Sequence, residues 1–291
     1  MVLSIVLNEK IPANILVSFY YIDNPTIEKL REHKETTRFL LDSGAFSAWK
    51  KGKTIEVDDY CRFIEKLTPI IEPWRYFTLD VVGDPVKTQE NYEIMLKRGF
   101  KPIPIFTRGE NISSIDDYYK NSDVVGIGSL VQTKKNRQFV NAVMKKIGKR
   151  KAHWLGFTQI NYLKHYKPYM CDTSAVNSAF RYARLGLYVG NGKFLSCGKS
   201  DFLKKPNTTI TRIFKELEID PKIFSKSENW INTGKPRNLE NTTFRSYVKY
   251  QLEIEKNLGT KLFIACSGLW QVSLALSAHS FWDKRGINVR R

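Results

Sequence analysis

Three aspartates carry the chemical interest of this chain. Asp42 closes the apolar run Phe39-Leu40-Leu41, Asp80 closes Tyr76-Phe77-Thr78-Leu79, and Asp172 follows Pro168-Tyr169-Met170-Cys171. Each run is short and rich in aromatic or branched residues, which predicts a strand. A carboxylate then falls at the C-terminal end of each strand, where open-mouthed α/β folds keep their chemistry. Gly44, two residues beyond Asp42, lets the backbone turn away closely. Two carboxylates flanking a sugar do a recognisable job: one attacks C1′ while the other handles the proton of the departing or arriving group. Clustered acids also raise one another's pKa, so that one of them holds a proton near neutrality. Three aspartates equally suit magnesium, so a hydrolase, a transferase and a metal site all fit these residues. Taken alone, Asp42 reads better as a helix N-cap; the recurrence of strand-tip aspartates shifts the weight toward chemistry.

The elements needed to gather these acids are legible in order. Strands are expected at Ile15–Tyr21, Arg38–Leu41, Tyr76–Leu79, Lys101–Phe106, Val124–Gly128, Ala152–Phe157 and Pro168–Cys171, with an eighth at Gly192–Ser196. Helices are expected between them, among them Asp58–Leu67, whose Tyr60, Phe63, Ile64 and Leu67 share one face. Short apolar strands alternating with helices indicate parallel βαβ units with right-handed crossovers. Eight such units favour a (β/α)8 TIM barrel over an open doubly wound sheet, and no G-x-G-x-x-G follows the first strand. Beyond about residue 200 the pattern becomes helical, at Thr208–Leu217, Thr242–Asn257 and Leu262–Ser280. The expected division is therefore a barrel over 1–200 and a helical C-terminal region over 201–291, ending in a basic tail of Lys284, Arg285, Arg290 and Arg291.

Bulk properties restrict the partners. The 291 residues hold 47 Lys+Arg against 29 Asp+Glu, a net charge of +18, which suits a polyanion such as nucleic acid. The four cysteines are scattered with no C-x-x-C pair, so neither a zinc ribbon nor a disulfide framework is indicated, and reduced thiols in the cytoplasm are the expectation. Leu262–Trp282 lacks charged residues but carries Ser, Gln and His, which favours burial within the protein over a membrane span. The oligomeric state, monomer or homodimer, is open.

At this point the motifs resemble a family. Asp42-Ser43-Gly44-Ala45-Phe46 looks like the Asp-Ser-Gly-Gly-Phe motif of the tRNA-guanine transglycosylase superfamily. Thr78-Leu79-Asp80 sits where that family has its base-recognising aspartate, Gly128-Ser129-Leu130 resembles its Gly-Gly-Leu loop, and Met170-Cys171-Asp172 resembles the strand that delivers its nucleophile. Order and spacing agree over about residues 1–200. The resemblance implies a barrel that exchanges a guanine in a nucleic acid for a free 7-deazaguanine, without a cofactor. Asp172 would attack C1′ and Asp42 would handle the proton. Asp80 would hold the purine's N1 and N2 edge, with Ser43, Phe46 and the Gly128-Ser129-Leu130 loop around the base.

Departures from the family pattern refine this. The zinc-binding C-x-C-x-x-C run of the tRNA enzymes is missing, so no metal is expected, and a basic, zinc-motif-free version resembles the DNA-acting branch, with tRNA as the alternative polymer. Ala45 and Ser129 replace glycines, and Thr107 stands about where a base-reading Gln is expected. DNA must present its nucleotide flipped out of the duplex. Lys50, Lys51, Lys53 and Arg181 are the expected backbone contacts, with Tyr182 beside the last of them. Phe46, Trp49 and Phe106 are candidates to stack on the purine, at least one of them being core instead. His153 reads as structural, and Lys145, Lys146, Lys149, Arg150 and Lys151 as solvated charge on the opposite face.

Overall fold

The computed structural model describes residues 10–130, 137–202, 208–231 and 238–287. Two compact units account for them: 14–174 with 260–272, and 1–13 with 175–259 and 273–291. The chain thus divides near residue 174, not near 200, and returns to its first unit for a short stretch.

The first unit alternates strands and helices. Its elements are β1 (Ala13–Ser18), α1 (Asn24–Glu32), β2 (Thr37–Asp42), α2 (Ala45–Lys50), α3 (Val57–Leu67), β3 (Arg75–Tyr76), α4 (Pro85–Lys97), β4 (Ile105–Phe106), α5 (Ser114–Asn121), β5 (Val124–Ile127), α6 (Arg137–Ile147), β6 (Lys151–Trp154), α7 (Ile160–Tyr166) and β7 (Met170–Thr173). Helix starts follow capping chemistry: Asp23 accepts from the Thr26 amide and Asp84 from the Lys87 amide, each followed by a proline in the first turn. In α3 the expected Tyr60, Ile64 and Leu67 are buried, while Phe63 is only half-buried and Cys61 is buried in addition.

The second unit holds an antiparallel hairpin of β8 (Leu185–Gly190) and β9 (Lys193–Cys197), together with α8 (Ser178–Tyr182), α9 (Lys199–Phe202), α10 (Thr208–Glu216) and α11 (Asn238–Leu258). The expected eighth barrel strand, Gly192–Ser196, is therefore one arm of this hairpin. Its partner β8 went unread because Leu-Gly-Leu-Tyr-Val-Gly is bracketed by glycines that suggest loop. Arg285 pairs with Glu218 and lies over the Phe281 ring, while Arg290 and Arg291 fall outside the described residues.

The true eighth strand is β10 (Lys261–Cys266), found inside the expected helix Leu262–Ser280; α12 (Leu269–Asp283) follows it. A continuous apolar run is ambiguous between buried strand and buried helix, and here Ser267-Gly268 is the break. Eight strands form one parallel sheet in the order β3-β2-β1-β10-β7-β6-β5-β4. At its two ends, Phe77 just after β3 and Ile103 just before β4 form a parallel bridge. There the Ile103 amide donates to the Tyr76 carbonyl at 2.8 Å and the Thr78 amide to the Ile103 carbonyl at 2.9 Å. One apolar cluster gathers a side chain from six of these strands and from both bridging residues: Leu16, Leu40, Phe77, Ile103, Ile105, Val124, Met170 and Phe263. Burial of each contributes about 1.5–3 kcal/mol, and together they form the floor on which the polar residues stand.

Among the described residues no helix is long and apolar enough to cross a membrane. The four cysteines are free and buried.

Candidate active site

Strand periodicity decides what meets at the floor. Leu16, Leu40, Met170 and Phe263 belong to the apolar cluster. Residues two positions further on, Ser18, Asp42, Asp172 and Ala265, therefore face the same side, one step nearer the C-terminal ends. This alternation brings Asp42 and Asp172 to one region, although 130 positions separate them (172 − 42). Asp172 lies within β7, not just after it as expected.

Asp80 is held by the Asp42 loop. The Ser43 hydroxyl, fully buried, donates to Asp80 Oδ1 at 2.8 Å and accepts from the Ala45 amide at 3.2 Å. Ser43 is thus a brace between two acids. Gly44 turns the chain with φ +77°, and its amide donates to Asp42 Oδ2 at 3.0 Å. A Cβ at residue 44 would lie 2.5 Å from Tyr20 Cβ and 3.0 Å from Ser18 Oγ. Gly44→Ala therefore meets both a left-handed backbone and a backbone-proximal clash. We expect a loss of about 2–4 kcal/mol of unfolding free energy in a urea titration, with expression of soluble protein reduced accordingly.

The three carboxylates feel one another. Burial first, then the charges of Asp80 and Asp172, push the Asp42 carboxyl up to about 7, against the opposing pull of the Gly44 and Ser43 amides. Burial likewise raises Asp80, with the Ser43 hydroxyl opposing. Beside them Tyr60 donates to the Phe77 carbonyl at 3.0 Å, and burial holds its phenol far above the usual range. Asp42 is accordingly a carboxyl that exchanges its proton near neutrality.

Asp172 is held by a different set of contacts. Its Oδ1 accepts from His153 Nε2 at 2.8 Å and from the Gly156 amide at 3.0 Å. Oδ2 has no hydrogen-bond partner among the described residues, and the side chain is 14% exposed. Two donors on one oxygen fix the carboxylate's orientation and leave the other oxygen's lone pairs to an incoming atom. His153 is wholly buried, edge-on to Phe77 with ring centroids 4.8 Å apart, and its Nδ1 has no hydrogen-bond partner among the described residues. A carboxylate only accepts, so the Nε2–H tautomer is the one that fits. The sequence reading of His153 as structural missed this contact. It depends on the β6–β7 register, His153 opposite Met170, which no local pattern encodes.

The remaining candidates separate into three groups. Just beyond β4 and β5, Gly128 packs against Thr107, where a Cβ would meet Thr107 Cγ2 at 3.1 Å. The Gly128 amide is committed to the Phe106 carbonyl at 2.9 Å, so it is not a free donor for a base. Ser129 adopts φ +57°, a conformation that favours glycine, and Leu130 is buried. Thr107 gives both its amide and its hydroxyl to Glu110, so its side-chain proton is already used. Phe106 is core, stacked on Phe139, and not a stacking platform for a purine.

On the surface, Phe46 and Trp49 are 53% and 56% exposed and stack on each other at 6.0 Å. Lys50, Lys51 and Lys53 are exposed beside them. In the second unit, Arg181 and Tyr182 are exposed on α8. Of the basic residues set aside as solvated, Lys146 and Arg150 pair with Asp116 and Lys151 with Asp123. Lys151 opens β6, the end opposite to the aspartates. No group of three or more His, Cys, Asp or Glu able to hold a metal ion occurs among the described residues.

No protein-family model, curated protein or solved structure matches the chain.

Proposed function

We propose that the chain is a base-exchange transglycosylase that replaces a guanine in DNA with a 7-deazaguanine. The supporting observation is the pairing of two unlike carboxyls on one floor: Asp42, titrating at about 7, and Asp172, oriented through one oxygen with the other open. Acid–base work and nucleophilic work call for that difference. In this reading the eight parallel strands belong to a (β/α)8 barrel, which the isolated parallel bridge between Phe77 and Ile103 supports.

The reaction has two displacements. Asp172 Oδ2 donates an electron pair to C1′, the C1′–N9 bond breaks, and its electrons leave on guanine. Protonated Asp42 gives its proton to a ring nitrogen of the departing base. A 7-deazaguanine then takes guanine's place, and Asp42, now a carboxylate, accepts the N9 proton. The N9 pair forms the new bond to C1′, and Asp172 departs as a carboxylate. Two inversions return the original configuration. Asp80, with one oxygen on Ser43, offers the other to the N1–H and N2–H donors of the purine edge.

Incubation with radiolabelled guanine and either duplex DNA or tRNA tests the proposal directly. Label entering DNA is the expected result. Label entering tRNA alone would reassign the polymer, and strand or base cleavage without incorporation would make the site a hydrolase.

A further inference from the structure

Phe46 and Trp49 stand out among the exposed large hydrophobic residues because they touch each other. Spaced i, i+3 on α2, they form a stacked pair more than half open to solvent. α2 is fixed at both ends. At its start, Gly44 lies against Ser18 and Tyr20 with no room for a side chain. At its end, the Gly52 amide donates to the Trp49 carbonyl and the Lys53 amide to the Ala48 carbonyl, both at 2.9 Å, a closed C-terminal turn around Gly52 at φ +65°. A rigid six-residue helix that starts three residues after Asp42 therefore carries two large rings into solvent. Its rise is only about 9 Å, and Phe46 follows Asp42 by four positions along the chain.

Cations surround the pair. Lys50 Nζ lies 4.4 Å from the Phe46 ring centre, and Lys51 Nζ lies 5.2 Å from that of Tyr20. Tyr20 also lines a groove of about 440 Å³, where Lys53, Arg62 and Lys66 stand against Glu56 and Asp59, Arg62 being paired with Asp59. A protein partner that buried the two rings would also desolvate Lys50 and Lys51 at a cost of several kcal/mol per ion unless it paired them. A nucleic acid supplies both counterparts at once, π faces for the rings and phosphates for the lysines.

We propose that Phe46 and Trp49 are a wedge that enters the base stack of a DNA duplex and fills the place vacated when the target nucleotide swings into the site. This rests on the transglycosylase reading and adds what opens the helix. Flipping costs a few kcal/mol in lost stacking, and inserted apolar side chains recover part of it. The rings thus contact the bases left behind, while the extruded guanine meets Asp80.

The test compares wild type with the Phe46→Ala/Trp49→Ala double variant on duplex and single-stranded DNA of one sequence. The ratio of duplex to single-strand exchange should fall at least 10-fold in the variant, because only the duplex must be opened. A separate readout uses 2-aminopurine beside the target guanine: its fluorescence should rise on mixing with wild type and stay flat with the variant. Equal losses on both substrates, or equal fluorescence with both proteins, would overturn the wedge. Absence of exchange by wild type on either substrate would instead sink the transglycosylase reading, leaving the fluorescence comparison to decide the wedge alone. Because both rings are exposed, the substitutions leave the core intact, which circular dichroism verifies.

Discussion

Asp172→Asn leaves a folded protein that still binds DNA and lowers base exchange by about 10⁴-fold or more, the scale on which removal of a covalent nucleophile acts. Asn keeps an oxygen where Oδ1 accepts from His153 and Gly156, so the local hydrogen bonds persist. An amide nitrogen replaces Oδ2, and its lone pair is delocalised and does not attack C1′. The decisive measurement is a denaturation-resistant adduct: wild-type protein incubated with an oligonucleotide should migrate as a covalent complex, and the variant should not. Retained binding with the adduct lost is the expected pattern. An adduct that survives in the variant would remove Asp172 from the chemistry altogether.

Asp42→Asn lowers turnover by about 10²–10⁴-fold, the usual contribution of a positioned acid–base group, and at the same time makes the protein more stable at alkaline pH. In the proposed reaction Asp42 carries its proton in the first displacement and must lack it in the second, so the two half-reactions should depend on pH in opposite senses. Guanine release should rise as pH falls through about 7, and uptake of the incoming base should rise above it. Full turnover is then bell-shaped around neutrality.

The stability effect follows from the same displaced titration. The carboxyl ordinarily ionises at 3.8 and in the fold holds its proton up to about 7. Between these values the folded state binds the proton that the unfolded state has released. The resulting stability is complete below pH 3.8 and is lost as pH rises through about 7. A neutral Asn avoids that loss, so at pH 8 the variant should gain about 1–4 kcal/mol over wild type. Urea midpoints measured at pH 5 and pH 8 check this: the gap between the two proteins should widen at the higher pH. A variant less stable than wild type at pH 8 would mean that Asp42 is a structural cap and not a strained acid.

How far the sequence discloses this arrangement depends on the range of the signal. Seven strand–helix units were legible because each is local: an apolar run, a turn, an amphipathic helix such as α3. Asp42 and Asp172 were legible as candidates because each stands at or next to the end of such a run. The eighth strand was not, because Leu262–Trp282 is apolar throughout and its strand and helix halves differ only at Ser267-Gly268. Hairpin strand β8 was hidden by its glycines. His153 is buried, as a structural residue is, but its contact with Asp172 was not legible because it lies in the register between β6 and β7, and Phe106 was offered as a platform although it is core. The tie from Ser43 to Asp80 crosses 37 positions and leaves no mark on either segment.

β10 lies between β1 and β7, with Ile264 opposite Ile15 and Leu262 opposite Cys171. During synthesis, the first seven strands leave the ribosome long before the eighth is made. Until residues 261–266 emerge, β1 and β7 each present a bare line of amides and carbonyls, the kind of surface that recruits foreign strands. Closing so long a loop makes final assembly slow relative to the local βα units. The nascent protein is thus most prone to aggregate in the window while the stretch from 175 to 259 is being translated, and it is there that a holding chaperone would have its greatest effect on yield.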